Sequence, residues 1–443
     1  MQKNEIYTIE ITDMNNLGNG IGRIDGKAVF VQGGVDGDIL KIKIIKVSSD
    51  YAVARIEEII RPSEHRITSD CPMSKRCGGC VYRSITYAHE LELKRNYVKN
   101  AFKKAGLDIN VHPVCHGDER GYRNKVQYPV GEGLRTGFYA SHTHEVVPCT
   151  QGCLLEDPAF AFVLDFTTDY LKSRGVSAYS EKTGKGLLRH IYLRRGKVSS
   201  EMMVCLVING EKLTCANDYA DAVTEKFPFV KTVVINSNRE DTNVILGKSF
   251  RVIKGKGYIE DTLCSLKFRI SAPSFWQVNH QMTERLYGKA AALAELKEGE
   301  TLCDLFCGIG SIGLSVISRH PSSRLLGVEV IPEAVANAQE NAMINGIANA
   351  EFICADANST AIEKAEVIIL DPPRKGCAPS LINRISELSP RRVVYVSCNP
   401  DTLARDLALF KKQGYTTSEA FPFDLFPRTG HVESLVCLTK QTN

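Results

Sequence analysis

The sequence predicts an α/β protein in three parts: a small all-β barrel, an α+β middle, and a carboxyl-terminal domain on a mostly parallel sheet. From about Ser271 onward, short apolar runs alternate with helical periods, as when parallel strands are joined by crossover helices. The first sixty residues instead alternate apolar and polar with period two and are cut by glycines. At 443 residues the chain exceeds what one hydrophobic core usually holds. The expected divisions are residues 1–62, 63–270 and 271–443.

Composition narrows the function classes. Hydrophobic content of 43% and charged content of 24% are those of an ordinary globular protein, and a net charge of +4 is too small to identify a nucleic-acid partner. Any basic surface must be local. Met1-Gln-Lys-Asn-Glu leads into an alternating strand rather than an apolar leader, and no apolar run approaches the roughly 20 residues that span a bilayer. Fifteen cysteines, an odd number without framework spacing, point to reduced thiols in the cytoplasm and to clusters that bind metal or act in catalysis. A monomer without membrane association is expected.

In the amino-terminal part, Tyr7, Ile9 and Ile11 alternate with polar neighbours, as do Leu40, Ile42 and Ile44. Gly18, Gly20, Gly22, Gly26, Gly33, Gly34 and Gly37 mark the turns of a closed barrel of the oligonucleotide-binding kind. Lys41, Lys43 and Lys46 lie where they would track a phosphate backbone, or form a solvated sheet face. Arg61-Pro-Ser63 reads as a linker.

The middle opens on Cys71-Pro-Met-Ser-Lys-Arg-Cys77-Gly-Gly-Cys80. Tight thiol clusters in a reducing compartment usually bind a metal, and the two glycines let the backbone wrap closely around it. A fourth ligand is required, with Cys149 and Cys153 the near candidates. The single Cys-x-x-Cys with a distant fourth thiol favours an iron–sulfur cluster over zinc. Residues 87–105 have helical spacing at Leu91, Val98, Ala101 and Phe102, with Lys94, Arg95, Lys99, Lys103 and Lys104 on the polar face. Strands are expected near 125–130, 135–139, 186–195, 201–208 and 232–235, and a helix over 158–172. Arg120, Tyr122, Arg123 and Lys125, with Arg189, His190, Arg194 and Arg195, mix basic and aromatic groups as a patch for unstacked RNA does.

In the carboxyl-terminal part, strand 301–307 closes on Gly308-Ile-Gly310-Ser-Ile-Gly313, a turn that lets a nucleoside ligand approach the backbone. The next strand ends in Glu329, about 20 residues on, suited to ribose hydroxyls. That spacing alone also fits a dinucleotide enzyme. Asp356 follows the next strand, and Val367-Ile-Ile-Leu-Asp371-Pro-Pro-Arg374 ends another. Each acid alone would serve as a helix cap; together they suit one crevice at the strand ends. The run Val393-Val-Tyr-Val396 has the composition of a buried strand, which must stop near Ser397 because Pro400 cannot donate to a ladder. Cys398 then stands at a carboxyl-terminal strand end. A thiol there suits a nucleophile, although free cysteines more often only pack. Glu433, in a loop before the final strand 435–438, is a candidate general base.

Cys398 and Glu433 together fit one reaction. C5 of uracil is a poor nucleophile until a thiolate adds at C6; the resulting enolate attacks a methyl donor, and a base removes the C5 proton to release the thiol.

Ser397-Cys-Asn-Pro400, Asp371-Pro-Pro-Arg374, Asp304-Leu-Phe-Cys-Gly308, Gln277-Val-Asn279 and Gly430-His-Val-Glu433 together resemble the RNA (uracil-C5)-methyltransferase family. The barrel and cysteine cluster resemble those of its ribosomal-RNA branch, which carries a TRAM domain and a [4Fe-4S] cluster. The resemblance implies a Rossmann-like S-adenosylmethionine-dependent domain, with Cys398 as nucleophile, Glu433 as base, and Asp371 on the pyrimidine edge or tuning the thiol. Gln277, Phe306, Gly308, Gly310, Glu329, Asp356 and Asp371 would form the methyl-donor site. Cys153, which precedes an apolar pair, would join Cys71, Cys77 and Cys80 on the cluster. The implied product is 5-methyluridine in 23S ribosomal RNA. The alternatives are transfer RNA, amino-group methylation, which needs no thiol, and an iron–sulfur RNA-binding factor without methyl transfer.

Overall fold

The computed structural model describes residues 1–149, 152–360 and 362–441. Strands β1 (Ile6–Glu10), β2 (Asp13–Met14), β3 (Asn19–Ile24), β4 (Lys27–Gln32), β5 (Ile39–Val47) and β6 (Tyr51–Arg61) form a six-stranded sheet in the order β1-β5-β6-β4-β3-β2. Alternation does what the sequence requires of it: Ile9, Ile11, Leu40, Ile42 and Ile44 turn inward onto Val29, Val31, Ala52 and Ala54. Lys41 and Lys46 stay exposed.

Helix α1 (Tyr87–Lys104) and the short strand β7 (Asn110–Val111) follow the cysteine loop. The middle sheet then assembles β8 (Lys125–Gly131), β9 (Arg135–Tyr139), β10 (Val146–Pro148), β11 (Leu188–Arg195), β12 (Met202–Ile208), β13 (Val230–Ser237) and β14 (Ser249–Lys254), in the order β10-β9-β8-β11-β12-β13-β14. Helices α2 (Ala159–Ser173) and α3 (Ala216–Lys226) bury Phe160, Val163, Tyr219 and Val223 against it.

Part of the basic patch expected on this sheet is internal, although Arg120 stays exposed and Arg123, Lys125 and Arg195 are half-buried. Arg194 is only 1% exposed, and Arg189 and His190 are buried beside it. Arg194 donates to the carbonyls of Ser271 (2.7 Å) and Ser274 (2.7 Å), and Arg189 to those of Asn238 (2.9 Å) and Glu240 (2.8 Å). Guanidinium groups here satisfy loop carbonyls that would otherwise be buried without partners.

After the hairpin β15 (Tyr258–Leu263) and β16 (Leu266–Ser271) comes α4 (His280–Ala294). Strands β17 (Thr301–Leu305), β18 (Arg324–Glu329), β19 (Ala350–Cys354), β20 (Val367–Leu370) and β21 (Arg392–Ser397) pair in parallel. Helices α5 (Ser311–Ile317), α6 (Pro332–Ile344), α7 (Pro379–Leu388) and α8 (Pro400–Lys412) accompany them. With β22 (Tyr415–Thr416), β23 (Glu419–Phe423), β24 (Glu433–Lys440) and the earlier β7 the sheet reaches nine strands. Its order is β19-β18-β17-β20-β21-β24-β23-β7, with β22 pairing β24. The last strand starts at Glu433 itself, earlier than the apolar run beginning at Leu435 implies.

Linear divisions and spatial ones differ. Strand β7 adds itself to the carboxyl-terminal sheet beside β23, and α1 packs on α8. The hairpin β15–β16 lies on α6, and one core runs from Tyr192 and Met203 of the middle sheet to Leu302 and Val394 of the parallel sheet. Among the described residues, no helix is long and apolar enough to cross a membrane.

Candidate active site

Parallel pairing in register brings the candidate residues to one edge. Leu305 pairs with Val328 on one side and Leu370 on the other, so Phe306, Glu329 and Asp371 are consecutive strand ends. Leu370 pairs with Tyr395, and Ser397 pairs antiparallel with Ser434. One step beyond that last pair, Cys398 faces Glu433 across two adjacent strand ends.

The Cys398 turn is locked from both sides. Asn399 caps α8 by accepting from the amides of Asp401 (3.0 Å) and Thr402 (3.5 Å). Its amide nitrogen and the Thr402 hydroxyl donate to the Arg374 carbonyl (3.3 and 3.2 Å), tying the loop after Asp371 to the thiol. A cavity of about 180 Å³ opens over Cys398, lined also by Arg374, Asn399, His431, Gly430, Val432, Tyr97 and Asn16. Arg374 and His431 stand 3.3 Å apart at its mouth. Sequence reasoning quoted both inside motifs without giving them a role; Tyr97 and Asn16, hundreds of residues away, carried no sign of one.

Electrostatics at this edge favours neutral forms. Burial, with Asp371 adding to it, pushes the Glu433 carboxyl up to about 8; burial pushes Asp371 up to about 7. Burial and these carboxylates push the Cys398 thiol up to about 11, against the opposing pull of Arg374. The resting thiol is therefore protonated, and the carboxyls beside it have proton affinities matched to neutral pH. Burial also lowers His431, with Arg374 adding to it, so the imidazole is neutral.

The adjacent crevice has the features of a nucleoside site. Gly308 (φ +55°) and Gly310 (φ +81°) hold the turn after β17 in the left-handed region, and Phe306 also has positive φ (68°). Space beside Gly308 is open, whereas a Cβ at Gly313 would meet the Asp304 carboxylate at 2.8 Å; the first glycine leaves room and the last lets α5 close on the strand. Asp304 accepts from the Gly313 amide (2.9 Å), and its other oxygen is buried without a partner among the described residues. Glu329 accepts from the amides of Gly308 (3.1 Å) and Val330 (2.8 Å), and Val330 and Ile331 beside it are 62% and 53% exposed, an apolar shelf at a carboxylate. Asp356 is exposed and closes its own turn by accepting from Asn358. Gln277 is buried, its backbone carbonyl accepting from the Asn124 side chain (3.0 Å).

Away from this edge, Cys71, Cys77, Cys80, Cys149 and Cys153 line one cavity of about 300 Å³. No three His, Cys, Asp or Glu side chains stand close enough to hold a single metal ion among the described residues, and residues 150 and 151, between the last two thiols, lie outside them. The donor set nonetheless suits a thiophilic centre: the Gly79 amide donates to the Cys77 sulfur (3.4 Å), and burial pushes Cys80 up to about 11 and Cys149 up to about 12. Buried thiols of this kind become thiolates only with a cation beside them.

One expected surface group has an internal task. Lys94, placed by helical spacing on the polar face of α1, is 1% exposed. It donates to Glu90 (2.7 Å), Asp424 (2.7 Å) and the Phe426 carbonyl (3.2 Å), while the Arg428 amide donates to Glu90 (2.7 Å). This paired network fastens the loop leading to Glu433 onto α1.

With this geometry established, three family models match parts of the chain: a TRAM domain over residues 2–56, a methyltransferase small domain over 287–389, and a tRNA (uracil-5-)-methyltransferase over 363–441. An uncharacterized RNA methyltransferase of Bacillus cereus is 38% identical, with 99% of this chain and 98% of that protein covered. Another, from Caldanaerobacter subterraneus, is 40% identical with 98% of each covered. Among solved structures, the tRNA (uracil-54, C5)-methyltransferase of Pyrococcus abyssi in complex with S-adenosyl-L-homocysteine superposes with a TM-score of 0.80 at 26% identity, over 98% of this chain and 100% of that one.

Proposed function

The chain belongs to the S-adenosylmethionine-dependent RNA methyltransferase family whose members it matches end to end, and from that premise we propose that it methylates C5 of a uridine through a covalent Cys398 adduct. The observation that supports this most is the pairing of β21 with β24, which sets Cys398 opposite Glu433 with Asp371 one strand away.

Cys398 gives up its proton to solvent in the open cavity and its sulfur bonds to C6 of the uracil, leaving an enolate with its electron pair delocalised to C5. S-adenosylmethionine, when bound, supplies an electrophilic methyl group; Phe306, the Gly308–Gly310 turn, Glu329, Asp356 and Gln277 would hold it. C5 takes the methyl, Glu433 accepts the C5 proton, and the C6–sulfur bond breaks to return the thiolate. Asp371, held near neutral, bonds the pyrimidine edge. The target base must be splayed from its stack for C5 and C6 to be reached from opposite sides. Turnover is expected to rise with pH through about 8, because Glu433 must be unprotonated to take the proton, and to go on rising above it as more of the Cys398 thiol, raised to about 11, becomes thiolate. A pH–rate profile flat between about pH 6 and pH 9 would contradict this role.

In this reading the substrate is 23S ribosomal RNA, and the enzyme acts in the cytoplasm as a monomer. The five-thiol cavity supports the ribosomal branch: Cys71, Cys77, Cys80 and Cys153 would hold a [4Fe-4S] cluster, which would join residues 71–80 to residues 152–156. Transfer RNA is the second reading, favoured by the likeness to the tRNA (uracil-54, C5)-methyltransferase of Pyrococcus abyssi. Protein purified without oxygen is expected to absorb broadly near 400 nm (roughly, for thiolate-bound iron) and to contain iron; stoichiometric zinc without iron would overturn the cluster. Incubating unmodified transcripts of 23S ribosomal RNA and of transfer RNA with labelled methyl donor, then digesting to nucleosides, tests the whole reading. Labelled 5-methyluridine is expected from the ribosomal transcript; label only in the transfer RNA would move the substrate, and label in another nucleoside would refute the chemistry.

A further inference from the structure

The barrel touches the catalytic pocket directly. Asn16, in the turn between β2 and β3, lines the cavity over Cys398. A Cβ on Gly430 would fall within the radius of the Asn16 carbonyl oxygen, so the turn sits on the backbone three residues before Glu433. Only glycine at position 430 permits so close an approach.

The turn is also rigid. The Asn15 side chain accepts from the amides of Leu17 (3.1 Å) and Asn19 (2.9 Å), and the Asn15 carbonyl accepts from the Tyr82 hydroxyl (2.9 Å). Gly18, at φ +75°, passes so near that a Cβ would stand 2.6 Å from the Val81 carbonyl oxygen. Val81 and Tyr82 in turn donate from their amides to the Arg428 carbonyl (3.0 and 3.2 Å). Turn, cysteine-loop end and catalytic loop therefore form one clamped unit. What this unit leaves open is specific: the Asn16 amide has no hydrogen-bond partner among the described residues, and Leu17 next to it is 68% exposed.

We propose that the turn Asn15–Gly18 is a wall of the target-nucleotide pocket, so that the barrel takes part in the methylation step as well as in holding RNA. This rests on the uridine-C5 reading above. The Asn16 amide, one donor and one acceptor side by side, engages the polar edge of the splayed base. Leu17 packs against the neighbouring RNA and occupies the gap the splayed base leaves, as apolar wedges do where bases are unstacked.

The test uses the full-length protein, unmodified transcripts of 23S ribosomal RNA and transfer RNA carrying tritium at uridine C5, and two measurements: the RNA dissociation constant and the single-turnover rate of tritium release. Asn16→Ala with Leu17→Ala is expected to slow release on the order of 10- to 100-fold, as misplaced reactants do, with the dissociation constant changed less than about threefold. Asn16→Asp keeps the side-chain shape, and with it the turn, but offers only acceptors; it should melt at the wild-type temperature and show the same slowing. Unchanged rates, or a loss confined to the dissociation constant, would overturn the proposal while leaving uridine methylation intact. A wild-type protein that methylates neither RNA would overturn both.

Discussion

Cys398→Ala is expected to abolish methyl transfer, with a loss on the order of 10⁴-fold or more, because no other group at this edge can add to C6. The structure gives reasons for expecting so large an effect. Neighbouring cysteines do not substitute: Cys303 and Cys307 are buried, and Cys377 is buried beyond the loop that Arg374 anchors. Alanine fills the thiol position without strain, so RNA affinity and melting temperature should hold. Methyl transfer at wild-type rate by the variant would exclude the adduct and move the chemistry to amino-group methylation. That class of reaction shares the Asp371-Pro-Pro loop but needs no thiol.

Glu433→Gln is expected to fail later in the same cycle. Glutamine keeps the shape of the buried carboxyl but cannot accept the C5 proton, so the methylated base stays bonded to Cys398. Turnover should fall about 10²- to 10⁴-fold while a protein–RNA adduct accumulates. The adduct would survive denaturing electrophoresis and would be lost in the double variant with Cys398→Ala. A slow variant that accumulates no adduct would show that Glu433 acts before the methyl group arrives, on the thiol itself. Its position opposite Cys398 makes that a meaningful contrast, since the carboxyl raises the thiol as well as facing the base.

That Cys398 and Asp371 stand at strand ends was legible in the sequence because local rules govern it, whereas Glu433, expected in a loop, opens β24. The run of β-branched residues before Ser397 defines a strand, Pro400 ends it, and a parallel sheet must gather its strand ends. Glycines after Leu305 and the acid at 329 follow the same logic. What escaped were side chains whose partners are remote in sequence. Helical spacing puts Lys94 on a polar face, and only the fold reveals Asp424, from the other end of the chain, in position to pair with it. Arg189 and Arg194 read as a basic patch because composition cannot distinguish a guanidinium meeting phosphate from one meeting buried carbonyls. Segment β7 was too short to show a period, yet it completes the carboxyl-terminal sheet. Asn16 lacked any local cue at all: its place over Cys398 depends on how the barrel seats upon Gly430.

Uridine-C5 chemistry is tested most directly by release of tritium from ribosomal RNA labelled at uridine C5, with S-adenosylmethionine present. Addition of Cys398 at C6 and proton removal by Glu433 require one tritium to leave for water with each methyl group gained. Release that matches methylation and disappears in Cys398→Ala is the predicted result. Methyl incorporation with the tritium retained would contradict it, and would place the methyl group on a nitrogen or a ribose oxygen instead.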